Sequence, residues 1–178
     1  MTLTKARITG AVYLLYFPIV IFAAALVGHA PVALSDGANL IANAYYLVVT
    51  LFLYQMFKPV NRNLALLAVL ISVVGCTVQS LSLFHLASLQ SALAIFGLFN
   101  LTIGALILWS TFLPRTLGIL MALSGLGWLM LLLPELSKPV TMGIEILGIV
   151  AEGSLMLWLL VMGVNVQRWN EQAGVTAA

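Results

Sequence analysis

The chain has 178 residues, 63% hydrophobic and only 7% charged, with seven Lys and Arg against five Asp and Glu. A soluble domain is about 45–50% apolar and about 25% charged, and a small domain leaves too much surface exposed to hide such a composition from water. Soluble enzymes, nucleic-acid binders and disordered tails are therefore excluded, and the lipid bilayer is the first expected partner. The formal charge of +2 leaves no basic stripe for phosphates, so no nucleic acid is expected. The single cysteine, Cys76, rules out a disulfide framework and a four-thiolate metal site.

A membrane span takes about 20 mostly apolar residues. Six fit in chain order, at 8–28, 38–57, 64–88, 91–112, 117–133 and 141–164. The first follows Lys5 and Arg7, and its apolar run of about 20 residues exceeds the ~7–15 of a signal peptide. It reads as an uncleaved helix, kinked at Pro18. The next breaks carry turn chemistry: Pro31 to Gly37, Lys58-Pro59-Val60-Asn61-Arg62, Leu113-Pro114-Arg115 and Pro134 to Pro139. Proline ends helices by removing a donor and pushing its predecessor out of the helical region. The break near Leu89-Gln90-Ser91 has neither Pro nor Gly and follows from length alone. The expected fold is an all-α integral membrane protein, a six-transmembrane-helix bundle over residues 1–166. Residues 167–178 read as a short cytoplasmic tail.

Lys5, Arg7, Lys58, Arg62, Arg115 and Arg168 fall on one side of this six-span arrangement, and Lys138 alone on the other. Basic residues mark the cytoplasmic side, which gives N-in/C-in. Arg7-Ile-Thr-Gly, Arg62-Asn-Leu-Ala and Arg115-Thr-Leu-Gly open the odd-numbered spans alike. Three related helical hairpins about an axis along the membrane normal would produce this pattern. Basic placement combined with equal helix lengths produces it too.

The chain resembles the bacterial domain-of-unknown-function 4386 family of small six-helix membrane proteins. The likeness runs through Arg7-Ile-Thr-Gly-Ala-Val-Tyr-Leu-Leu-Tyr-Phe, Lys58-Pro-Val-Asn-Arg, Phe84-His-Leu-Ala-Ser-Leu, Phe112-Leu-Pro-Arg-Thr-Leu-Gly and Glu152-Gly-Ser-Leu-Met-Leu-Trp. The resemblance implies the six-helix architecture and a bacterial inner (cytoplasmic) membrane location, and no activity. It also implies longer outer loops after the first and third helices, whereas both are short here.

Function must come from the polar groups kept inside lipid. An ionisable residue at membrane depth is costly unless partnered or neutral, and marks a candidate site. Glu145 and Glu152 qualify, two turns apart on the sixth span. The alternatives are a Glu145 hydrated near the outer interface and a Glu152 that joins helices by hydrogen bonding. The second span carries Asn39, Asn43, Tyr46, Thr50 and Tyr54 on one face; the third carries Ser72, Cys76 and Gln79, with His85 farther out; the fourth carries Gly97, Asn100, Gly104 and Thr111. Each stripe alone is ordinary helix packing. By depth, at about 1.5 Å per residue, Asn43, Tyr46, Gln79, Asn100 and Glu152 gather in the outer half, with His85 and Glu145 above them. His29 sits in a loop and His85 in a span, which gives no zinc or di-iron site, and no cofactor is expected. Trp109, Trp128, Trp158 and Trp169 read as interface anchors.

These residues predict a polar pocket in the outer half of the bundle, read first as an enzyme site and alternatively as a carrier's binding site or a subunit contact. An acid–base isomerase or cyclase for an isoprenoid- or sterol-like substrate would use Glu152 as acid, with Glu145 and His85 accepting the proton. Asn43, Tyr46, Gln79 and Asn100 would bind the substrate. Tyr13, Tyr16, Tyr46, Phe96 and Phe99 would shield a developing cation. A carrier or binding protein would use the same carboxylates for proton coupling, and so small a carrier would work as a homodimer. An accessory subunit would instead turn its polar faces outward to a partner.

Overall fold

Capping chemistry sets most helix starts in the computed structural model, which describes residues 2–174. Helix α1 (Leu3–Leu26) begins at Thr2, whose hydroxyl accepts from the Lys5 N–H. Helix α2 (Val32–Phe57) follows Pro31. Asn61 caps α3 (Arg62–Leu83) by accepting from the Leu64 N–H, and Ser88 caps α4 (Leu89–Trp109) through Ser91. Helix α5 (Arg115–Met130) follows Pro114. After it come a single turn, α6 (Pro134–Ser137), a 3₁₀ turn at Lys138–Val140, α7 (Thr141–Val161) and α8 (Val166–Gln172). Side-chain caps satisfy N–H groups that the first helical turn leaves unpaired. Among the described residues there is no strand.

Five helical segments are long and apolar enough to cross a membrane. The fifth expected span, 117–133, falls on the shorter apolar helix α5, whose 16 residues rise about 24 Å against a hydrocarbon core of roughly 30 Å. The third span was expected to run to residue 88, but α3 ends at Leu83. Phe84 to Ser88 form the turn, with His85 in the left-handed region at φ 59°. The turn therefore falls before Leu89 rather than at it, because Ser88 starts α4 by capping and no proline or glycine marks the place. Pro18 lies inside α1 without ending it.

The six long helices form a ring in which successive neighbours pack: α1 on α2, α2 on α3, α3 on α4, α4 on α5, α5 on α7, and α7 back on α1. Tyr13, Phe99, Leu53, Leu155 and Met121 fill its centre, each no more than 1% exposed. Ile21, Phe22, Leu70 and Ile149 are among many large apolar side chains left outside. An outer apolar surface of this kind is what lipid covers.

Backbones approach closely where glycine allows it. A Cβ placed on Gly97 would stand 2.8 Å from the Gly125 carbonyl oxygen, and one on Gly104 would stand 2.9 Å from that of Gly118. Two glycines seven residues apart on α4 thus meet two on α5, the small-residue contact typical of helices in lipid. Gly10 on α1 meets the Leu160 backbone on α7 in the same way.

The expected tail 167–178 is not free. Val166–Gln172 is helical, Trp169 is buried, and its indole N–H donates to the Met56 carbonyl at 2.8 Å. Arg168 donates to Thr111 O, and Gln172 to Trp109 O. α8 thereby satisfies carbonyls around the end of α4, which a helix terminus leaves unpaired. Residues 175–178 of the expected tail lie outside the described residues.

Candidate functional site

Glu152 sits in the middle of α7, where lipid solvates no charge, and donors from two other helices reach it. The Tyr13 hydroxyl from α1 donates to Oε2 at 2.8 Å. The Asn100 amide from α4 donates to Oε1 at 3.3 Å and also to Ser124 Oγ on α5 at 3.2 Å. Tyr13 and Asn100 are fully buried, so these neutral donors replace the water the carboxyl has lost. Asn100 Oδ1 is buried and has no partner. Each carboxyl oxygen receives one of these donors and retains acceptor capacity.

Glu152 also lines a cavity of about 330 Å³ that reaches toward the α1–α2 and α3–α4 connections. Its walls are mainly apolar and aromatic: Tyr16, Phe17, Val20 and Ile21 from α1, Tyr46 from α2, Phe96 from α4 and Trp128 from α5, with Gln79 from α3 adding an amide. Tyr16 and Tyr46 lie 4.9 Å apart by ring centroids, and Phe96 meets Tyr46 edge-on at 5.3 Å. Tyr13 and Phe99 pack behind this wall, at 6.4 Å from Tyr16 and 5.6 Å from Tyr46. Gly148 allows Trp128 its place, since a Cβ there would stand 2.6 Å from the indole ring. Volume alone does not choose this cavity, because hollows of about 370 and 410 Å³ lie at the other end of the bundle. Neither of those is lined by a carboxylate, and each is bordered by Lys or Arg instead.

Of the residues expected to form the site, Glu152, Tyr46, Gln79 and Asn100 come together here. Asn43 is buried beside them but donates to Ser80 Oγ at 3.1 Å, and belongs to the seam between α2 and α3. Thr50 and Ser72 join that seam at 2.8 Å, and Cys76 donates to the Asn43 carbonyl. Glu145 and His85 do not join the site. Both are exposed, and neither side chain makes a hydrogen bond or ion pair among the described residues. The expected His85–Glu145 pair is absent because α3 stops before His85, while Glu145 lies two turns farther along α7, outside the cavity lining.

Two contributors were not expected. Trp128 was read as an interface anchor and is a wall of the cavity. The Tyr13 hydroxyl was read as part of an aromatic screen and is a ligand of the carboxyl. A phenol at mid-span was the available signal, since its hydroxyl needs a partner when buried. No family model, no curated protein and no solved structure matches the chain, so the family resemblance rests on the motifs quoted above.

Proposed function

We propose that the chain is a membrane-embedded binding protein that takes a small lipophilic molecule into this cavity, with Glu152 as its polar anchor, and that it serves as a carrier. The observation carrying this reading is a cavity of about 330 Å³ with one carboxyl, held by Tyr13 and Asn100 from other helices. Few convergent polar groups in an apolar cleft are the usual form of a small-molecule site. The isomerase or cyclase reading shares this cavity but lacks its proton acceptors, since Glu145 and His85 lie outside. The accessory-subunit reading expects polar faces turned to lipid, and Asn43, Thr50, Ser72 and Asn100 are buried.

The same proposal sets six spans in the bacterial inner membrane, N-in and C-in. Supporting it, the basic ends of α1 and α2, marked by Lys5 and Lys58, border one hollow, and Arg7 reaches the last carbonyl of α7. Hairpins α1–α2, α3–α4 and α5–α7 follow one another around the ring, as three parallel repeats would. Alternating access in so small a chain calls for a homodimer.

Native mass spectrometry of the protein purified in detergent tests the reading. We expect a discrete lipophilic molecule on the wild type, and its loss from Val20→Trp, which fills the cavity. Bulk lipid alone on both proteins would contradict the proposal.

A further inference from the structure

Resting on the binding reading above, we propose that the ligand is a lipophilic organic monocation, an ammonium or its like, which exchanges with a proton at Glu152.

The sign of the site comes first. Among the described residues lining the cavity, Glu152 is the one Asp, Glu, Lys, Arg or His. The residues packed around the carboxyl bring no compensating charge from any helix: α1 contributes the phenols Tyr13 and Tyr16, α2 the phenol Tyr46, α4 Asn100, and α5 Ser124 and Trp128. On α3, Gln79 lines the cavity, and the Cys76 thiol donates to the Asn43 carbonyl. On α7 itself the other acid, Glu145, stands exposed and outside. Neutral donors orient a carboxylate but do not cancel its charge, and uncancelled charge at membrane depth is costly. Two occupancies leave the site neutral: a proton on Glu152, or a monocation beside its carboxylate. A lipophilic anion would add a second negative charge with no basic group to meet it. A neutral lipophile would not stabilise the carboxylate.

The walls suit the same ligand. Four aromatic rings, Tyr16, Tyr46, Phe96 and Trp128, line the cavity together with Glu152. Aromatic faces attract desolvated cations most strongly where water is excluded. Asn100 can serve both occupancies. Its Nδ2 donates to the carboxylate, as observed, and with its amide turned over its Oδ1 would accept from the protonated acid. The exchange balances: the cation enters, the Glu152 O–H bond breaks, the proton passes to water, and the carboxylate–cation pair remains.

The test compares benzyltrimethylammonium with neopentylbenzene, its uncharged isostere, by titration calorimetry on the full chain in nanodiscs. We expect the cation to bind with release of about one proton, and its affinity to fall as pH falls, approaching tenfold per pH unit where Glu152 is protonated. Neopentylbenzene should bind more weakly and without pH dependence. In Glu152→Gln the cation should lose about tenfold or more in affinity and all pH dependence. Tyr16→Leu, which keeps the carboxyl, should weaken the cation alone and preserve the pH dependence, so the proposal does not hang on the folding of one variant. If the isostere binds as tightly as the cation at every pH, or Glu152→Gln binds the cation unchanged, the cation assignment is overturned while lipophile binding stands. If Val20→Trp abolishes binding of neither compound, the binding reading itself is overturned.

Discussion

Replacing Glu152 by Gln keeps the shape of the side chain and an acceptor for Tyr13, so the expected loss of stability is below about 1 kcal/mol. Glu152→Ala strands the fully buried Tyr13 hydroxyl and leaves the buried Asn100 amide with Ser124 alone, and should cost about 1–3 kcal/mol. Unfolding in mixed micelles separates the two; equal large losses would mean that the carboxyl only joins helices. Tyr13→Phe removes one interhelical hydrogen bond of 2.8 Å and should cost about 0.6–1.7 kcal/mol, the range of such bonds in lipid. At this scale the sequence was informative where chemistry is rare. A carboxyl deep in a span is conspicuous, and Glu152 could be singled out from it. Glu145 looks identical in sequence, being apolar on both sides and two turns away. Only the wall that α1 and α5 build, which reaches Gly148 and Ile149 on α7 but not Glu145, separates the two acids. His85 misled because hydrophobic periodicity continued past the residue at which α3 ends.

Helix contacts explain why some glycines on neighbouring positions should differ sharply. Gly125→Ala would put a methyl 2.6 Å from the Gly97 carbonyl oxygen and force α4 and α5 apart, for an expected loss of about 1–3 kcal/mol. Gly153→Ala meets nothing within 4 Å and should be neutral or stabilise by up to about 1 kcal/mol, since alanine is the better helix former. Thermal unfolding of the pair checks this; similar melting temperatures would contradict the close packing. The stripe of Gly97, Asn100 and Gly104 was visible in the sequence at helical spacing, and so was its role in packing. The stripe of α2 was visible too, but not that Asn43 would bind across to Ser80 while Tyr46 turned to the cavity. That division depends on the rotation of α3 against α2, which periodicity does not contain. The short polar C-terminal stretch carries no sequence sign of docking. Trp169, buried against Met56 O, makes α8 part of the bundle, and Trp169→Ala should cost about 3–5 kcal/mol.

For the whole molecule, an all-helical chain with several helices apolar enough to span a membrane followed from composition, because backbone in lipid has few options beyond the helix. A polar pocket was expected from the depth of the polar residues, but not its mainly apolar and aromatic walls, which form where α1 and α7, in close contact at Gly10, leave room farther along. Orientation is testable with single cysteines in a Cys76→Ala background. Lys138→Cys should react with an impermeant maleimide on intact cells, and Lys58→Cys only after permeabilisation; the reverse pattern would invert the proposed topology and put the cavity in the inner half.

The central claim is that a ligand meets Glu152 inside this cavity, and ligand-induced infrared difference spectroscopy reads that carboxyl directly. Adding benzyltrimethylammonium, or the molecule found bound in mass spectrometry, should shift or remove the carboxylic-acid C=O band in the wild type and leave that region flat in Glu152→Gln. A ligand that binds the wild type without disturbing that band would contradict the account.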